Sequence, residues 1–243
     1  MKWTPILRQL ENKHLYDGIL TNFVNQNQNI VNSTVFQGTL YEYTVMRELH
    51  GKLFMDNVNK VGGAHDGGVD ITSTWNINKI HKRVENLMDL SKLYPRDKIP
   101  KKIKLHSGTV NPLIHKIAKG ENINLDVLVQ CKAFNKSKVT PREFRELIGT
   151  FNSMVPRSKW KSSVMIMSSP HLLTPDGLKL INSLDISLIY LRIGQLTKNS
   201  DNSFDLANSG KLLNYYENET ANRLLLGCGI NECLKLGLCN DKE

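Results

Sequence analysis

The 243-residue sequence contains no apolar run near the roughly 20 residues a membrane-spanning helix needs, so no such span is expected. Cysteine is scarce. Cys131, Cys228, Cys233 and Cys239 are too few to staple a chain of this size, which points to a reducing compartment. The spacing of the last three fits no zinc template and has no histidine beside it, so they read as buried thiols of an apolar C-terminal element. No internal repeat is evident. The N-terminal stretch has Lys2, Arg8 and Lys13 but also Glu11 and Asp17, so it lacks the acid-poor composition of a transit peptide, and pattern alone leaves the compartment open. Acidic residues are outnumbered: 23 Asp and Glu face 32 Lys and Arg, a net charge of +9. Such an excess fits an acidic partner, nucleic acid first and an anionic membrane surface second. It is concentrated between Trp75 and Leu125, where eleven basic residues face four acidic ones.

What is present is an ordinary foldable composition, 40% hydrophobic and 23% charged, long enough for a sizeable core. Thr4-Pro5 opens one or two amphipathic helices, and 25–33 reads as a polar loop. Thr34-x-x-Gln37 resembles a capping box and opens a helix to about His50. Strands are expected at 53–61, 69–75, 125–133, 164–168 and 186–193. Thr140-Pro141-Arg142-Glu143 opens a helix burying Phe144, Leu147, Ile148 and Phe151, and Thr174-Pro175 opens another. From 197 to 209 the chain reads as a loop, and the remainder to Leu238 as helix. This order predicts an α/β fold: a mixed central sheet of about five strands, helices on both faces, and a basic insertion at 76–124 projecting between the second and third strands. The expected organisation is an N-terminal helical extension (1–33), a core (34–193) and a C-terminal loop and helical extension (194–243).

Four polar residues stand out against this frame. Glu42 shares a helix face with Gly38, Val45, Met46 and Leu49, so a carboxylate sits within an apolar stripe, where it needs a metal, a cation or hydrogen-bond donors. Asp70 follows the glycine-rich Gly62–Gly68 turn at the start of a strand. Gln130 and Lys132 are two apart on a strand and project from one face, with Cys131 pointing away and its carbonyl available as an oxygen ligand. Phosphodiester hydrolysis needs a metal, anionic ligands for it and a cation for developing charge. Magnesium, or manganese, would be held by Glu42, Asp70 and the Cys131 carbonyl, with Lys132 beside it. His65 and Asp66 read as turn residues, Asp66 supporting the ligands from behind. Lys79, Lys82, Arg83, Lys101, Lys102 and Lys104 are the expected contacts to a nucleic-acid backbone. The plain alternative is a solvated, lysine-rich surface.

Gly38-x-x-x-Glu42, Asp66-Gly67-Gly68-Val69-Asp70 and Val129-Gln130-Cys131-Lys132 resemble the three motifs of Mrr-like restriction endonucleases, a branch of the PD-(D/E)XK superfamily in which Gln commonly replaces the second acid. The resemblance covers about 34–193, interrupted by the insertion. It implies a restriction endonuclease-like core and a magnesium-dependent endonuclease acting on DNA rather than RNA, with a homodimer as one possible assembly. The insertion, N-terminal helices and divergent C-terminus resemble the fungal mitochondrial required for respiratory growth protein 7 family, which implies the mitochondrial matrix. A weaker site is the alternative, since Gln130 brings less negative charge than an acid; the fold would then bind nucleic acid without turnover.

Overall fold

The computed structural model describes the backbone of residues 4–61, 68–105, 108–133 and 137–240, and side chains from residue 15 to 237 of these. Helix α1 (Thr4–Gln26) precedes α2 (Thr34–Leu53). The cap of α2 lies one residue earlier than the sequence suggests: Ser33 Oγ accepts the Phe36 N–H, while Gln37 Nε2 donates back to the Val31 carbonyl. Strands β1 (Asp56–Lys60) and β2 (Ile71–Asn76) follow, then the insertion. The insertion contains α3 (Ile77–Glu85), α4 (Leu90–Leu93), the hairpin β3 (Ile103–Lys104) and β4 (Thr109–Val110), and α5 (Ile114–Ile117). The chain continues through β5 (Asn124–Cys131), α6 (Pro141–Met154), β6 (Ser163–Ser169), α7 (Pro175–Asn182) and β7 (Leu188–Ile193). It closes with β8 (Leu212–Glu217), α8 (Glu219–Leu224) and α9 (Ile230–Asn240).

The main sheet is mixed and six-stranded, in the order β1-β2-β5-β6-β7-β8. β1, β2 and β5 form an antiparallel meander, β5, β6 and β7 run parallel through α6 and α7, and β8 returns antiparallel on β7. One strand more than expected is therefore present. Leu212–Glu217 carries no alternation, being buried at Leu212, exposed at Leu213 and Asn214 and intermediate thereafter, because an edge strand packs on one neighbour only.

Each face has its own core. Leu128, Phe144, Leu147, Phe151, Met165 and Leu188 join α6 and α7 to one face. Val45, Leu49, Ile71, Trp75, Val127 and Val129 bury the other under α2. The α6 face follows from its start, where Thr140 and Glu143 form the reciprocal capping box with Pro141 in the first turn. Phe151 is fully buried, and truncating such an aromatic costs about 3–5 kcal/mol.

The insertion does not project. Ile77, Ile80, Val84, Leu90, Ile99, Leu113 and Ile114 are buried in the same core as α2, together with Cys228, Ile230, Cys233 and Leu234 of the C-terminal segment. The apolar spacing visible in α3 serves this packing. Its charged face remains outside. The C-terminal segment, expected as an extension, thus completes the core. The 197–211 loop is tied down by Arg47, whose guanidinium donates to the carbonyls of Leu206, Ser209 and Gly210, each at 2.9 Å, and pairs with Glu48 at 3.1 Å. Glu48 in turn accepts the Leu212 N–H at 2.9 Å.

Candidate functional site

β2 and β5 pair regularly from Asn76 with Asn124 to Ile71 with Val129, and diverge one residue further on. At that fork Asp70 donates its own N–H to the Val129 carbonyl, and its Oδ2 accepts the Cys131 N–H at 2.6 Å. Gly68 leads into the fork at φ +85°, where an added Cβ would stand 3.2 Å from Thr150 Oγ1 and 3.3 Å from Gln130 Nε2. Only glycine allows that approach at that φ.

Glu42 reaches the same strand end from α2. Its neighbour Tyr41 is buried, and the Tyr41 hydroxyl lies 3.0 Å from Ser168 Oγ and donates to the Ile193 carbonyl at 3.1 Å. These bonds pin α2 against the ends of β6 and β7, beside Cys131, which pairs with Ser168. Burial raises the Tyr41 pKa well above the ordinary phenol value. Glu42 Oε2 meets Lys60 Nζ at 2.6 Å, a contact from the end of β1. The Cys131 thiol registers the gathering. Burial pushes its pKa far up, the charges of Asp70 and then Glu42 add to this, and Lys60 opposes them.

Gln130 and Lys132 stand at this strand end on the other face. Gln130 lies beside Gly68 and Thr150 of α6, and Lys132 Nζ is 3.5 Å from Glu146 Oε2, also on α6. The Cys131 thiol, by contrast, packs on the α2 side, where Glu42 and Lys60 are. The charges of Asp70 and Glu42 both reach the Cys131 thiol, on the α2 side, while Gln130 and Lys132 face α6. Lys132 is paired with Glu146 there, on the opposite side of the strand from Glu42, and not beside it as the sequence suggests. Asp66 and His65 lie outside the described residues.

The oxygen set suits a hard cation. Gln130 is 6% exposed, and its Oε1 is buried with no hydrogen-bond partner among the described residues. Such an orphan costs about 1–3 kcal/mol unless something donates to it or coordinates it. Among the described residues no group of three or more His, Cys, Asp or Glu gathers in a ligating arrangement. Asp70, Glu42 and neutral oxygens remain, which is the one- or two-carboxylate pattern magnesium accepts.

The insertion is rooted elsewhere. β2 starts at the fork and runs away from it, and the insertion leaves after Asn76 and returns opposite it at Asn124. A six-residue strand puts that root about 20 Å from the fork. Lys79 pairs with Asp56, which lies opposite Thr74 near that far end, and the Arg83 guanidinium sits 4.5 Å over the Phe54 ring. Lys82, Lys101, Lys102 and Lys104 are exposed. Lys60 ends β1 opposite Ile71, one residue from the fork. Lys138, Arg142 and Arg145 around the start of α6 are exposed, and Arg142 shares Glu146 with Lys132, at 3.1 Å. The sequence analysis singled out none of these, although for the last three their position directly after the Gln130-x-Lys132 strand was a usable signal. Cys228 and Cys233 are buried thiols, as expected, and burial raises the pKa of both. The Cys239 side chain lies outside the described residues. No helix among the described residues is long and apolar enough to cross a membrane.

Fold and site together define an α/β protein with a mixed six-stranded sheet and a carboxylate–lysine centre where two antiparallel strands part. The chain belongs to the family described as Required for respiratory growth protein 7, whose pattern matches residues 33–225. That span runs from the α2 cap through α8 and contains all four motif residues. The mitochondrial protein of that name from Zygosaccharomyces rouxii is 54% identical over 224 residues, 91% of this chain and 89% of the relative. The one from Saccharomyces cerevisiae is 49% identical over 221 residues, 91% and 90% of the two chains. The one from Kluyveromyces lactis is 46% identical over 217 residues, 89% and 90%. The protein is mitochondrial, as these relatives are. No solved structure matches.

Proposed function

We propose that this chain is a metal-dependent nuclease on an Mrr-like PD-(D/E)XK core, hydrolysing phosphodiester bonds in DNA of the mitochondrial matrix. The observation that carries this reading is the fork: Asp70 at the parting of β2 and β5, Glu42 delivered to it by α2, and a buried, unpartnered Gln130 oxygen next along the strand. Asp70, Glu42 and the Cys131 carbonyl are the residues that would hold magnesium or manganese. When bound, the metal supplies Lewis acidity to the phosphate and lowers the pKa of a water.

The remaining work belongs to the chain. Lys132 offers its ammonium to the negative charge that builds on the phosphate oxygens. Its present partner, Glu146, is 47% exposed at 3.5 Å, and exposed pairs contribute only about 0–1 kcal/mol, so the lysine is easily released. Gln130 orients a ligand or water from the α6 side. Arg142, which shares Glu146 with Lys132, would meet a phosphate backbone entering from the α6 side, while the insertion would hold a more distant stretch without reading sequence.

A second reading, a nucleic-acid-binding module without turnover, is favoured by one observation: Glu42 and Lys132 are each already engaged by an opposite charge of the protein itself. Cleavage of supercoiled and linear DNA with magnesium or manganese separates the two, with Asp70→Ala and Lys132→Ala run alongside. Cleavage by the wild type that both substitutions abolish, with DNA binding kept, supports the nuclease. Binding without cleavage by the wild type supports the module, and cleavage that survives both substitutions removes these residues from the chemistry.

A further inference from the structure

We propose that Lys60 is the resident counter-ion of the carboxylate centre, occupying the cation's place beside Glu42 and yielding it when a divalent metal enters. The inference rests on the metal-site reading above and assigns a role to a residue outside the motifs. Lys60 ends β1 opposite Ile71, one residue from the fork. Its ammonium lies 2.6 Å from Glu42 Oε2, 3.5 Å from Thr39 Oγ1 and 5.7 Å from the centre of the Tyr43 ring, all on α2. The pair is partly buried, with side chains 28% and 17% exposed.

The physical reason is charge balance. Two carboxylates of one sign, partly removed from water at one strand end, repel each other and lose hydration. Lys60 offsets this through its 2.6 Å contact with Glu42. A magnesium or manganese ion seeks an oxygen at about 2.0–2.2 Å, and an ammonium on that same oxygen would repel it strongly in a half-buried setting. Metal entry therefore requires Lys60 to turn away. The Thr39 hydroxyl, one turn back on α2, is the acceptor within reach.

The test is manganese binding to the full chain, followed by calorimetry and by the loss of the free-ion paramagnetic resonance signal. Lys60→Met should bind manganese about tenfold more tightly than the wild type, since losing a repulsion of this kind is equivalent to about 1.4 kcal/mol. Lys60→Arg, which keeps the charge, should stay near the wild type. The metal-free Lys60→Met protein should melt lower and recover on adding manganese. Lys60→Gln provides the same comparison if the Met variant does not fold. Equal affinities in the wild type, Met and Gln variants, with binding lost in Asp70→Asn, would overturn the role of Lys60 while keeping the metal site. No manganese binding by any variant, wild type included, would overturn both.

Discussion

The Asp70 carboxylate takes the Cys131 main-chain N–H at 2.6 Å, the bond that a β2 carbonyl would accept had the two strands stayed paired. A side chain thus caps the sheet where the ladder stops, and the cap is also the first carboxylate of the proposed centre. Asp70→Asn keeps the shape and an acceptor but removes the charge. It should leave the far-ultraviolet circular dichroism unchanged and lower metal-dependent cleavage by about 100-fold or more, the size of effect seen when one preorganised electrostatic group is removed. Undiminished cleavage would take Asp70 out of the reaction.

Lys132 and Glu146 should respond in opposite directions. Lys132→Ala should depress turnover with little change in DNA affinity. Glu146→Gln should leave turnover equal or higher, because it frees the lysine, and should shift stability by no more than about 1 kcal/mol. Single-turnover rates and denaturant midpoints read the two quantities separately. A Glu146→Gln protein as inactive as Lys132→Ala would show that the pair itself is the working arrangement.

The insertion and the fork are predicted to separate binding from chemistry. Replacing Lys101, Lys102 and Lys104 together with Ala should weaken DNA binding and reduce its salt dependence, by about 0.9 in the log–log slope for each phosphate left without its lysine. The rate at saturating DNA should be kept. An unchanged slope would remove the hairpin from the interface.

Arg47 and Gly210 anchor the loop that leads into β8. Gly210 adopts φ +69°, and a Cβ there would stand 2.7 Å from Thr44 Cγ2 and 2.9 Å from Arg47 Nη2. Gly210→Ala should therefore cost more than the usual surface change, about 1–3 kcal/mol. Arg47→Ala leaves Glu48 buried without its partner and should cost about 3–5 kcal/mol. Urea midpoints test both, and a shift under about 0.5 kcal/mol in either would contradict the anchoring role.

Glu217 gives a pH signature. Burial raises its pKa above the ordinary 4.5, against hydrogen bonds from Tyr215 and Asn222, with the charge of Glu232 adding to the rise. A carboxyl raised in the folded state contributes stability that is complete below its unfolded pKa and is lost as pH climbs through the folded one. The wild type should thus lose stability relative to Glu217→Gln as pH rises from about 4.5 through the raised value. Parallel pH profiles for the two proteins would show that Glu217 does not titrate in this window.

Much of the frame was legible because its signals are local. The α6 start was written in four consecutive residues, and the run from Leu125 to Cys131 could only be a buried strand. The positions of Asp70, Gln130 and Lys132 at strand ends followed directly. What misled was long-range. The insertion was expected to stand away from the sheet because its charge is conspicuous, yet its apolar residues share a core with a segment more than a hundred positions later. β8 reads as helix because its partner, β7, supplies the pairing that its own pattern does not announce.

The sequence by itself determined most element types, the α/β order and the strand-end positions of the polar motif residues, since propensity, capping and side-chain chemistry act over a few neighbouring residues. Only the tertiary structure decided that Lys60 meets Glu42, that Gln130 and Lys132 face α6 while Cys131 faces α2, and that the basic insertion is rooted at the far end of β2. Those relations depend on strand register and on which helix covers which face. They are set by burial summed over the whole chain, a quantity no short stretch of sequence contains.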